Sequence, residues 1–277
     1  MAITAADVNK LRTITGAGMM DCKKALEESN GDFDAAIDYL RKKGQKVAAK
    51  RADRLAMEGV VIAKTNAAGD KGIIVHVTSE TDFVSKNTDF IKMAQEIADT
   101  AINNYPATLE DLLNLDCGGI TVATKLAEAA GKIGEKIELG SYEKLEAASV
   151  VPYIHLGYRI GVLVALSKGG SDAITAIGKD TAMQIAALNA IAVDRADVAK
   201  EILDKEFEIG REIAIQEGKP EAMIEKIAAG KVEKFLKEQT LLTQAFVKDG
   251  SKTVGQAINE VDADLKVLQF KRVALGK

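Results

Sequence analysis

The chain has 277 residues, 47% of them apolar and 28% charged, with a formal net charge of −4. That length allows two domains, or one domain with a small added module. The acidic balance argues against a general nucleic-acid binder, which carries a basic excess. No stretch approaches the ~20 apolar residues of a membrane span, and the N-terminus lacks the basic flank and apolar run of a signal peptide. Cys22 and Cys117 stand far apart with no CxxC pairing, the usage of a reducing, cytoplasmic compartment. Aromatics make up only 4% of the chain and Trp is absent, so the core must be built from Ala, Ile, Leu and Val.

Residues 4–43 read as three short helices. Thr4 and Asp7 have capping-box spacing. Gly16-Ala17-Gly18 is a tight connection, Asn30-Gly31 a left-handed stop, and Asp32 the cap of a third helix carrying Phe33, Ala36, Ile37 and Leu40 at helical spacing. The adjacent Met19 and Met20 cannot both face one core, so one of them is expected outside, where Met suits an adaptable partner surface; the plainer reading packs both at the bundle's edge. Residues 41–54 hold seven Lys and Arg with no interleaved aromatics. They read as a solvated linker helix in preference to a phosphate-binding run.

The main domain opens with a hairpin, residues 59–65 and 72–78, joined by Asn66-Ala67-Ala68-Gly69-Asp70. His76 shares a strand face with Ile74 and Thr78, a structural position. Next comes Thr81-Asp82-Phe83-Val84, a polar corner ahead of a helix over 89–103. On pattern alone, Phe83 plugs the core while Thr81 or Asp82 caps that helix. The sharper reading is an exposed wedge of acid and ring presented to a partner on rigid supports. A helix over 121–132 and a strand over 136–146 follow.

A second hairpin and helix occupy residues 150–193, with strands 150–156 and 160–166 and a helix over 171–192. "GDKGIIVHVTSE" and "GYRIGVLVALSK" are similar enough to suggest an internal duplication. The fold class is therefore α+β: a three-helix bundle, then two related subdomains, each an antiparallel sheet with helices on one face. Two charged amphipathic helices within 197–240, with Pro220 expected at the first position of the second, form an antiparallel hairpin; ordinary core helices are the alternative, and the high charge favours a projecting, inserted coiled coil. A helix over 254–261 and a closing strand over 266–273, returning to the second sheet, complete the chain. The divisions are 1–55, 56–146 and 147–277, with 197–240 inserted in the last.

Enzyme chemistry has no footing. There is no P-loop and no Gly-x-Ser-x-Gly elbow. Two histidines and two isolated cysteines do not make a zinc site. The motifs favour a binding or regulatory protein that needs no cofactor.

Several segments, in order, carry a family resemblance. "LRTITGAGMMDCKKALEESNGDFDAAIDYLRKKG" (11–44) resembles the UBA-like N-terminal module of bacterial elongation factor Ts. "TDFV" (81–84) resembles the family signature, and "KIGE" (132–135), "YIHLGYRIGVLV" (153–164), "GKPEAMIEKIAAGKVEKF" (218–235) and "SKTVGQ" (251–256) resemble further family segments. The resemblance implies a guanine-nucleotide exchange factor for elongation factor Tu, binding its GDP-bound and nucleotide-free forms, with no membrane and no direct nucleic-acid partner. It implies that Thr81, Asp82, Phe83 and Val84 disturb the partner's Mg²⁺ site and that Ile133 and Gly134 support them. Arg12, Met19 and Met20 would contribute the N-terminal module's contact surface, and His155 a hairpin contact, although Leu156 separates it from the glycine that usually follows. Some members carry a further C-terminal module, and the chain reads as lacking it. Two rival readings are a UBA-type adaptor acting through residues 1–55 and an RNA-associated protein using Lys42 to Arg54.

Overall fold

The N-terminal helices begin and end where their chemistry marks them. The computed structural model, which describes residues 3–276, begins with α1, Ala5–Thr15, whose Thr4 hydroxyl accepts from the Asp7 amide while the Asp7 carboxylate accepts from the Thr4 amide. Two helix-end donors are thereby satisfied. α2 is Met19–Glu28; Asn30 and Gly31 then turn through left-handed backbone, and Asp32 caps α3, Phe33–Lys50, by accepting from the Ala35 amide. Val8, Leu11, Cys22, Ala25, Leu26 and Ala36 form a core that belongs to these three helices.

The first sheet is antiparallel, in the order β1 (Glu58–Thr65), β2 (Lys71–Ser79) and β3 (Glu138–Glu146). Between β2 and β3 lie α4 (Asp82–Ser85), α5 (Thr88–Asn104), α6 (Leu109–Asn114) and α7 (Val122–Ile133). Strand alternation sends Ile73, Val75 and Val77 toward Phe90, Ile97 and Ala101 of α5 and Leu126 of α7. Ile74, between them, points to the other face.

The second sheet repeats the plan in the order β4 (Ser149–His155), β5 (Ile160–Leu166) and β8 (Val267–Ala274). Its helices are α8 (Asp172–Leu188) and α11 (Val254–Val261). Between them run α9 (Lys200–Gln216), α10 (Glu221–Gln239) and a small ribbon, β6 (Ala245–Phe246) with β7 (Asp249–Thr253). The faces of the two sheets that carry no helices meet each other: Val61, Ala63, Ile74 and Leu145 pack on Val150, Leu163 and Ala165. The approach is close enough to need glycine on both sides. A Cβ on Gly161 would meet Val61 Cγ1 at 2.6 Å, and one on Gly72 would meet Val150 Cγ1 at 2.6 Å. Among the described residues the protein is thus a mixed α/β molecule with small antiparallel sheets.

α9 and α10 lie back to back, with Gly210 against Ala228. Ala192, Val198 and Leu236 close their base. The base is tied by main chain: the Ile191 amide donates to the Gln239 carbonyl at 3.0 Å, and the Leu241 amide to that of Ala192 at 2.9 Å.

Four expectations change. The basic run is helical to Lys50 with Lys42, Lys46 and Lys50 exposed, but it also docks on α7, where Arg41 Nε meets Glu128 Oε1 at 2.7 Å. α8 stops at Leu188 because Asn189 takes a left-handed φ of 52°. Pro220 caps α10 from outside instead of starting it. Neither α6 nor the β6–β7 ribbon is marked in the sequence, since both are too short to show a period.

Candidate functional site

The corner between β2 and α5 is built from polar groups answering one another. Ser79 Oγ, at the buried end of β2, donates to the Thr81 carbonyl at 3.0 Å. α4 is a single turn, closed by Ser85 Oγ donating to the Asp82 carbonyl at 3.1 Å. Asn87, not Thr81 or Asp82, caps α5: its side-chain oxygen accepts from the Asp89 and Phe90 amides at 2.8 and 3.2 Å.

That arrangement decides the orientation of Phe83. One helical turn offers one inward direction, and Val84 takes it, packing on the first core, while Phe90 fills the space beneath at 2% exposure. Phe83 is left 83% exposed, so the plug favoured by pattern is overturned. Asp82, beside it, accepts from Lys86 Nζ at 2.6 Å, and this bond holds its carboxyl below the usual carboxylate range.

The corner is gripped from the end of α7. Glu135 Oε2 accepts from the Glu80 and Thr81 amides, each at 3.0 Å, and Glu135 Oε1 accepts from the Thr81 hydroxyl at 2.6 Å. In return Glu80 Oε1 accepts from the Lys136 amide at 2.6 Å and from Arg51 at 2.6 Å. The Lys136 amide bond first, and Arg51 after it, hold the Glu80 carboxyl low against the opposing effect of desolvation. Lys136 Nζ reaches back to the Ala52 carbonyl at 2.8 Å, so the tail of α3 joins the same network.

Ile133 is the last residue of α7 and is 36% exposed. Gly134 ends the helix in left-handed backbone at φ 82°, its amide donating to the Ala130 carbonyl at 2.8 Å, a stop that favours glycine. Phe83 and Ile133 border one hollow of about 360 Å³ with Val84, Phe90 and Met93 in its lining and Thr15 of α1 at its rim. The loop after Thr15 runs against α7 as well, since a Cβ on Gly16 would come within 2.8 Å of Lys132 Cε.

The remaining candidates are placed as follows. Arg12 is exposed near the end of α1. Met19 and Met20, in the first turn of α2, are both exposed, at 52% and 74%, because Cys22, Ala25 and Leu26 already fill the inward stripe. His155, the last residue of β4, is half-buried, and its Nδ1 lies 3.0 Å from the Tyr153 hydroxyl. It does not line the hollow beside Phe83. Its hairpin is pinned to the first sheet, where the Val61 amide donates to the Tyr158 carbonyl at 2.8 Å. Structure thus brings Phe83, Val84, Ile133 and the loop before Met19 to one side and leaves His155 on a separate turn.

Glu80, Glu135 and Arg51 were missed as candidates. The only signal was that Glu135 closes the "KIGE" segment; its partners lie 54 and 55 residues away, beyond any local pattern. Among the described residues no three His, Cys, Asp or Glu side chains converge as metal ligands, and no helix is long and apolar enough to cross a membrane.

Comparison with known proteins gives a consistent result. A family profile described as "Elongation factor TS" matches residues 80–277. The chain is 53% identical over 276 residues to a protein named Elongation factor Ts from Amoebophilus asiaticus, covering 100% of each. It is 52% identical over 274 residues to one so named from Christiangramia forsetii, covering 99% of each, and 44% identical over 284 residues to one from Chlorobium phaeobacteroides, again covering 99% of each. A profile spanning most of the chain and full-length relatives far above 30% identity together place this chain in the elongation factor Ts family.

Proposed function

We propose that this chain is a guanine-nucleotide exchange factor for elongation factor Tu. It binds the GDP complex, disturbs the partner's Mg²⁺ and phosphate site, and promotes GDP release so that GTP can bind during translation elongation in the cytoplasm. It has no catalytic site of its own and uses no cofactor. Asp82 and Phe83 form the tip; Ile133 and Gly134 support it; Arg12, Met19, Met20 and His155 add contacts. In this reading residues 1–55 are a UBA-like module, 56–146 and 147–277 are the two α+β subdomains, and 197–240 is a coiled-coil hairpin. The observation that carries it is Phe83, 83% exposed on a corner held by charge-assisted bonds.

The physical basis is linkage. A GTPase holds its nucleotide through phosphate-loop amides and Mg²⁺. A protein that prefers the nucleotide-free form weakens nucleotide binding by the same factor. A 10⁴-fold shift takes roughly 5.5 kcal/mol of differential binding, whereas burying one Phe side chain supplies about 1.5–3 kcal/mol. Phe83 cannot supply this alone, so the surfaces at Ile133, Met19, Met20 and His155 have to share the load. The test is release of a fluorescent GDP analogue from elongation factor Tu. The wild-type chain accelerates release, and Phe83→Ala, losing about 1.5–3 kcal/mol of contact, is slower by roughly 10- to 100-fold. Equal rates with and without the wild-type chain would overturn the reading.

A further inference from the structure

We propose that Glu135 is a positioning residue that locks the Phe83 tip and the Ile133 prong into one rigid unit. The inference rests on the exchange reading given above and deepens it. Among the described residues, the three hydrogen bonds Glu135 accepts come from Glu80 and Thr81, the two residues immediately ahead of the tip. The grip is reciprocal, because the Glu80 carboxylate takes the Lys136 amide at 2.6 Å. Phe83 stands two residues beyond Thr81, and Ile133 two residues before Glu135. The crossed carboxylates therefore set the separation of the two apolar groups that border the shared hollow.

A purely local role is a poor fit to the bonds. α4 is closed by Ser85 and α5 by Asn87 without help from Glu135. Phe83 itself makes few contacts with its own molecule, so its direction depends on the backbone behind it. A wedge transmits binding free energy only if it cannot yield. Each backbone residue left free in the unbound protein and ordered on binding costs about 1–2 kcal/mol, a factor of roughly 5–30. Glu80 and Thr81 are the residues that Glu135 would otherwise release.

The test uses the full chain and fluorescent-GDP release from elongation factor Tu, comparing wild type, Glu135→Ala, Glu135→Gln, Phe83→Ala and the double variant. Glu135→Ala is expected to lower the saturating release rate about tenfold or more, in line with the ordering factor above. Glu135→Gln, which keeps one acceptor oxygen, falls between it and wild type. Phe83→Ala with Glu135→Ala is expected to be no slower than Phe83→Ala alone, the non-additivity of two residues acting through one element. A wild-type rate in Glu135→Ala, or fully additive losses, overturns the proposal. A second readout is independent of exchange: amide hydrogen exchange at Thr81 in the free protein speeds up in Glu135→Ala and stays slow in Phe83→Ala. If the wild-type chain fails to release GDP, the functional reading falls, while unchanged Thr81 protection in Glu135→Ala overturns the positioning role. Should Glu135→Ala fail to fold, Thr81→Val removes only the hydroxyl donor, and an unchanged release rate there counts against the proposal.

Discussion

Gly44 of α3 and Gly131 of α7 meet backbone to backbone: a Cβ on Gly131 would lie 2.5 Å from Gly44 Cα, and one on Gly44 would lie 2.7 Å from the Ala127 carbonyl oxygen. This crossing, with the Arg41–Glu128 pair beside it, docks the N-terminal helices onto α7. It also brings the loop that precedes Met19 next to Ile133.

Gly44→Ala sets two effects against each other. Helix propensity favours Ala by about 1 kcal/mol, but overpacking against backbone costs roughly 1–3 kcal/mol. The clash is with main chain, which cannot swing aside, so Gly44→Ala is expected to lower stability by about 1 kcal/mol. Gly230 is the control, as a Cβ there meets nothing within 4 Å on the exposed side of α10. Gly230→Ala should stabilise by up to about 1 kcal/mol. Urea titrations of both variants check the opposite signs.

Phe83 and Phe90 are seven residues apart and face opposite worlds, at 83% and 2% exposure. Phe83→Ala should change unfolding free energy by less than about 0.5 kcal/mol, as surface substitutions do. Phe90→Ala should cost about 3–5 kcal/mol, as for a large ring removed from a core. Thermal and chemical denaturation distinguish them, and a large loss in Phe83→Ala would contradict its exposed placement.

Gln184 is fully buried in α8 and carries the β6–β7 ribbon. Its Nε2 donates to Gln244 Oε1 at 3.1 Å and to the Ala245 carbonyl at 3.0 Å, and its Oε1 accepts from the Val247 amide at 2.8 Å. Gln184→Leu leaves those groups without their partner, at about 1–3 kcal/mol for each that stays buried. The expected loss is about 2 kcal/mol or more, with faster amide exchange in the ribbon than in the first sheet.

His76 sits in β2 opposite Ser141, and its buried Nε2 has no hydrogen-bond partner among the described residues. Burial lowers its pKa below the ordinary histidine range, outweighing the raising effect of Glu138. The unfolded chain therefore binds this proton more readily than the folded one. Stability is full above the unfolded pKa of about 6.5 and declines as pH falls from there through the lower folded value. Melting scans from pH 8 to pH 5 should show a falling Tm, and His76→Gln should flatten part of that slope. An identical slope in the variant would remove His76 as its source.

Local chemistry settled much of this protein within the chain itself. Thr4 with Asp7, Asp32, and Thr253 with Gln256 each cap a helix within three residues, and strand alternation in 72–78 and 160–166 already separates two faces. Signals of that range are written in adjacent letters. The orientation of Phe83 was not, because a four-residue turn has no period and the matter rests on Val84 and Phe90 having filled the core first. The brace at Glu135, the glycine crossing of α3 on α7 and the contact of β1 and β2 with the second sheet all join residues more than 50 positions apart. Only folding brings such groups within hydrogen-bonding or van der Waals range, so only the tertiary structure could decide them.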